Sequence, residues 1–414
     1  MKQKLYSVLC LATLVVPVLY ANENNATLNS YLSDLKKRSF GYDYEKNEAQ
    51  SSMLRDSWIA PIQVNYSYKK SKPYTQEQVN EAAAIRIDQP IFQSGGIYYG
   101  VKFANASKLY GDYSIDVAKR KMIKQSVALL MQIKQMTYKI QKQHYLIKNA
   151  QINLEQKKEQ YMSGQLDSGF LDNAIIQTNI LQQTLYDFQT AKERLVTQFE
   201  ALSDLDYKTA HIPHLDFLSA KEFLEQKHNI VLKQSSAQIQ QNKYATNVRI
   251  AKYLPKVSLV AGYNWSKSSG QKMFVGGQLI DSSNELHYYD YGVRVALPFD
   301  INTFRDVESA KVDYFKAQVQ QQDTQRQLKA LYRQVMQNIE NYDKKIVLAQ
   351  QNQKLYEKLF HDTQELFYGG YKTQYDVDNM KNSLEIQKLD ISIFELDKQL
   401  ELLNLYEMYI NGGK

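Results

Sequence analysis

The chain has 414 residues with 51 lysines and arginines against 44 acids, a formal net charge of +7, and a single cysteine. The basic residues alternate with acids, which argues against a nucleic-acid footprint, and one cysteine excludes a disulfide framework. Only 7 prolines and 16 glycines interrupt it; so few helix breakers among so many Gln, Lys, Tyr and Leu residues predict very long helices rather than a loop-rich globular enzyme.

Lys2 and Lys4 precede an apolar run, Leu5 to Tyr20, and a change to polar residues after Ala21. Residues 1–21 therefore read as a secretory signal peptide cut after Ala21. Cleavage would remove Cys10 and lower the charge from +7 to +5. Nothing beyond it approaches the ~20 apolar residues that a spanning helix needs, so membrane entry would have to use strands.

The rest divides into a first repeat, 22–202, a linker, 203–219, and a second repeat, 220–414. Arg86 and Pro90 return as Arg294 and Pro298, 208 residues later; Pro61 returns as Pro255 after 194. The difference of 14 places an insertion in SKSSGQKMFVGGQLIDSSN, whose glycines, serines and asparagines read as a surface loop. Each repeat then has one order: helix, strand, loop, strand, very long helix, glycine turn, returning helix.

Four segments alternate with period two. Ile62, Val64, Tyr66 and Tyr68 oppose Gln63, Asn65 and Ser67; Ile85 and Ile87 oppose Arg86 and Asp88. Val257, Leu259, Ala261, Tyr263 and Trp265 oppose Ser258, Gly262 and Asn264, with Val260 out of pattern. Tyr291, Val293, Val295 and Leu297 oppose Asp290, Gly292 and Arg294. An outer-membrane barrel strand gives this pattern, as does a half-buried soluble sheet. Four strands cannot close a barrel alone, so a spanning role requires several chains; three would supply twelve strands.

Between the strands the helical stripes are narrow. Leu328, Leu331, Val335, Ile339, Tyr342 and Ile346 step by three and four, and Leu355, Leu359 and Leu366 extend the row. Val377, Met380, Leu384, Ile391, Leu396, Leu400 and Leu403 repeat it on the returning helix. This is coiled-coil spacing. Gly164 ends one long helix; Gly369 and Gly370 end the other, where a tight turn with positive φ suits glycine. In Thr373-x-x-Asp376 the threonine caps the next helix and the acid sits at its positive end.

IRIDQPIFQSGG, LPKVSLVAGY, VRVALPFDI and two glycines followed three residues later by Asp167 or Thr373 resemble the TolC-type outer-membrane efflux channels, or outer-membrane factors. The resemblance covers nearly the whole mature chain. It implies a mostly α fold with a small β part: as a homotrimer, a 12-stranded β-barrel in outer-membrane lipid continuous with a periplasmic α-helical barrel. It also implies docking to an inner-membrane pump through a periplasmic adaptor protein, and makes 203–219 an equatorial belt. The expected function is a passive exit duct for efflux or type I secretion, gated at the helical tip, without enzymatic activity or cofactor. A periplasmic coiled-coil adaptor or tether without a pore is the alternative.

The resemblance assigns Asp376 to a ring of charge at the pore aperture, beside its capping role. Asn379 stands where the family has a second acid, with Asp378 one residue away; Phe170 replaces the first turn's acid, with Asp172 two residues on. Lys372 and Thr373 are candidate gate contacts, Lys372 toward the first turn or simply solvated. Arg86, Asp88 and Arg294 lie on the lumen face, where the arginines tune selectivity or solvate the wall. His211 and His214 lack an acidic or thiol partner nearby, which favours loop histidines over a metal site. FGYDYEKNEAQ, Phe40 to Gln50, departs from the family's first helix, and the C-terminal extension of some members is expected to be missing.

Overall fold

The computed structural model describes residues 28–72, 77–275 and 278–410; residues 1–21, expected as a signal peptide, with Cys10 among them, and the C-terminal Asn411 to Lys414 lie outside them. Helix α1 (Asp34–Arg55) leads to strands β1 (Gln63–Ser71) and β2 (Gln78–Phe92), then helices α2 (Gly96–Met162) and α3 (Ser168–Glu200). After the linker, a short helix α4 (Ala220–Leu224) precedes α5 (Ile230–Lys252), β3 (Lys256–Val275), β4 (Gln278–Ala296), α6 (Thr303–Tyr368) and α7 (Gln374–Tyr406). Phe40 to Gln50 lie within α1, so that departure from the family pattern leaves the helix itself intact.

The outgoing helices dominate the shape. Helices α2 and α6 contain 67 and 66 residues, and at ~1.5 Å per residue each is about 100 Å long. Both returning helices, α3 and α7, have 33 residues, so they accompany only half that length. Helices α1 and α5 cover the other half, packing on α2 and, for α5, also on α6.

The strands form one antiparallel sheet in the order β1-β2-β3-β4. Val64, Ile85, Tyr263 and Tyr289 are cross-strand neighbours, which merges the period-two rows into one continuous apolar face. That face is exposed: Val64 is 71%, Tyr66 63%, Tyr291 83% and Val295 70% accessible. On the opposite face Ser258 and Asn264 are buried.

Of the segment expected as a loop, 266–284, residues 266–275 and 278–284 instead extend β3 and β4, and 276–277 lie outside the described residues. Pairing runs out to Val275 opposite Gln278, past a bulge between Ser268 and Gln271. Gly270 permits it: its φ is +83°, and a Cβ there would fall 2.2 Å from the Glu77 carbonyl oxygen. Strand formers on both sides of Gly276-Gly277 outweigh the loop-like composition, and such a glycine pair between apolar runs is itself a hairpin signal.

A deep apolar core lies midway along the helices, where the linker crosses them. Leu32, Val127, Leu130, Met131, Phe199, Leu215, Phe223, Leu402 and Leu405 are buried together there. Linker backbone groups are met by side chains: Gln399 Oε1 accepts from Leu215 N at 2.8 Å, while Tyr332 and Tyr406 donate to the Leu218 and Asp216 carbonyls. Phe223 stacks on Tyr332, ring centroids 5.9 Å apart. The chain end closes the same region, Ile230 N donating to Met408 O and Ile410 N to His228 O.

Candidate functional site

The two helical hairpins end alike. In the first, Gly164 N donates to Tyr161 O and Gln165 N to Gln160 O; in the second, Gly370 N donates to Phe367 O and Tyr371 N to Leu366 O. Both are Schellman closures, and both use a left-handed glycine, Gly164 at φ +73° and Gly370 at +79°. Gly369 corrects the expectation of positive φ: as the C-cap of α6 it has φ −78°, in the right-handed helical region. A Cβ on it would stand 3.1 Å from the Tyr371 ring, so its constraint is packing.

This difference gives an expected result. Gly370→Ala should destabilise the turn by about 1 kcal/mol through backbone strain alone, since nothing lies within 4 Å of a Cβ there. Gly370→Asn should cost less, because asparagine tolerates the left-handed region. Amide exchange at Tyr371, the closing donor, measures both; equal protection in the two variants would contradict it.

Beyond each turn a polar residue starts the return. Asp167 accepts from Gly169 N at 3.3 Å. Thr373 and Asp376 form a complete capping box: Thr373 Oγ1 accepts from Asp376 N at 3.3 Å, and Thr373 N donates to Asp376 Oδ2 at 2.9 Å. The Thr373 hydroxyl also donates to Asp376 Oδ2, at 2.9 Å. The Thr373 N–H, then its hydroxyl and the Lys372 charge, hold the Asp376 carboxyl below the usual range against partial desolvation.

The remaining predicted acids are separate. Asp378 accepts from Gln374 Nε2 at 3.0 Å, one turn along the same helix. Two residues apart, Asp376 and Asp378 point about 200° apart around α7. Asp172 is exposed near the start of α3. Lys372 is exposed and its charge bears on Asp376; near the tip Tyr375 joins the two hairpins, its hydroxyl donating to Glu159 Oε1 at 3.0 Å. Sequence reading missed this pair, since residues 216 apart share no local pattern.

Higher on the same α2–α7 seam, Lys142 pairs with Asp390 at 2.6 Å and Lys124 with Glu407 at 2.8 Å. Burial raises the Asp397 carboxyl, against the hydrogen bond from Gln135. Around the tip Met162, Phe170, Tyr368 and Tyr371 are exposed.

On the sheet's polar face, Arg86 Nη2 donates to Asn264 Oδ1 at 3.2 Å, and Arg294 forms an ion pair with Asp88. His211 offers its backbone carbonyl to Tyr31 Oη at 2.7 Å. Among the described residues no cluster of acids, histidines and cysteines could hold a metal ion, and no helix is long and apolar enough to cross a membrane.

Residues 224–409 match the family model described as outer membrane efflux protein. In fold, the chain is similar to the outer membrane protein VceC of Vibrio cholerae (TM-score 0.68, 15% identity, 93% of this chain and 96% of that one). It is similar also to the CmeC outer membrane channel of Campylobacter jejuni (TM-score 0.69, 13% identity, 93% and 84%). The MtrE outer membrane channel of Neisseria gonorrhoeae, in its open state, matches at TM-score 0.59 and 12% identity, over 93% and 88%. No curated protein matches the chain in sequence. The matched second half carries the sequence signature of the outer membrane efflux proteins, and nearly the whole chain shares the fold of their channels, so the resemblance to the outer-membrane factors holds.

Proposed function

We propose that the protein is the outer-membrane exit duct of a tripartite efflux or type I secretion system, a passive channel gated at its helical tip. It resides in the outer membrane, with the long helices extending into the periplasm. The observation that carries this reading is the sheet: four strands with an exposed apolar face and two unpaired edges, β1 and β4. No open edge can face lipid, because its N–H and C=O groups would go unsatisfied. Pairing β4 of one copy with β1 of the next satisfies both edges, and three copies close a twelve-stranded barrel. The lower α6 stripe agrees, since Leu355, Leu359 and Leu366 are 53%, 38% and 44% exposed in one chain and want a neighbour.

In such a trimer the hairpin tips ring the periplasmic entrance. Asp376 supplies three negative charges to that ring, and Asp378 and Asp172 lie in the same tip region; the exposed aromatic side chains offer a surface to a periplasmic adaptor and its inner-membrane pump. Purified protein should be trimeric and should conduct ions in planar bilayers. Monomers without conductance would favour a coiled-coil tether instead.

A further inference from the structure

We infer that the middle of the barrel wall cancels its own charge through a polar lattice across β2, β3 and β4. The inference rests on the duct reading above. One arm is the ion pair from Arg294 on β4 to Asp88 on β2, which spans the intervening strand. Register explains the route. Asp88 stands opposite Val260 and Arg294 opposite Ser258, so the pair crosses β3 over those two residues. This is where Val260, which breaks the polar row of β3, interrupts the alternation, and Gly292 opposite it adds no side chain.

The second arm is a relay. Arg86 donates to Asn264 Oδ1 at 3.2 Å, and Asn264 Nδ2 donates to Asp290 Oδ1 at 2.9 Å. Asn264 is 7% exposed, so its amide is held in place rather than free to turn to solvent. Gly262 makes the room: a Cβ there would stand 2.8 Å from Asp290 Oδ1. Two cations and two anions thus close on one another within the middle of the wall. Lys69 and Lys256, near opposite ends of their strands, are the further charges that register puts on this face.

Cancellation has a measurable signature. Asp88 and Arg294 are 45% and 58% exposed, so loss of either leaves its partner charged, unpaired and hydrated, without burying a lone ion. Asp88→Asn should move the channel toward anions and Arg294→Gln toward cations. Each should change the permeability ratio by about twofold at low salt, and the double variant should return to the parent value. Reversal potentials in a potassium chloride gradient read all three. Conducting channels that shift in the same direction, or not at all, would overturn the lattice; failure of the parent protein to form channels would overturn the duct reading, and this role with it.

Discussion

Phe223→Ala is expected to loosen the belt around the helices by about 3–5 kcal/mol, the cost of emptying a fully buried aromatic site. Phe223 is 0% exposed and stacks on Tyr332. Its carbonyl accepts from buried Asn229, whose side chain also caps α5. Elsewhere each helix is covered mainly along one stripe, whereas here elements from both halves meet. Three kcal/mol is a rise of roughly a hundredfold in the open population, and proteolysis under native conditions follows that population when opening is fast. Cleavage within 203–219 should therefore accelerate about a hundredfold or more. Phe217, six residues earlier in the same belt, is 60% exposed, and Phe217→Ala should stay within about twofold. Equal acceleration in the two variants would show that the belt is not held by this core.

The core was the part least legible in the sequence. Its contacts join residues far apart, such as Arg120 to the Tyr409 carbonyl across 289 positions, and no local period encodes such a meeting. The long helices were legible because breakers are scarce and the stripes step by three and four. Their stripes identified buried positions such as Val335, Ile339 and Leu384, but not that Leu355 and Leu366 stay uncovered within one chain. Spacing reports a wish for a partner, not whether the same chain supplies it. The glycine turns were legible because Gly164 and Gly370 each precede a cap by three residues, as the Schellman closure and the next N-cap require. The strand extension was misread because composition was weighed above the glycine-flanked apolar runs. At the tip, Asp376 and Thr373 were found from their local pattern, while Glu159 and Tyr375 had none to offer.

Asp376 unites a cap and a charge in one side chain, and two substitutions should separate them. Asparagine retains an oxygen that can accept from Thr373 N but carries no charge; alanine retains neither. Loss of the cap should cost about 1 kcal/mol in the first turn of α7, seen as roughly fivefold faster amide exchange there for Asp376→Ala but much less for Asp376→Asn. In the proposed trimer, cation preference should fall equally in both, because three copies lose the same charge. The pH dependence has a definite sign. The carboxyl is held below its ordinary range by the Thr373 N–H above all, so its contribution to stability is fully present above the unfolded pKa of about 3.9 and disappears as pH falls through the lower folded value. Selectivity should consequently stay level from neutral pH down to about pH 4 and decline only below it. A loss centred near pH 6 would assign the aperture charge to another group, and unchanged selectivity in Asp376→Asn would leave Asp376 with the cap alone.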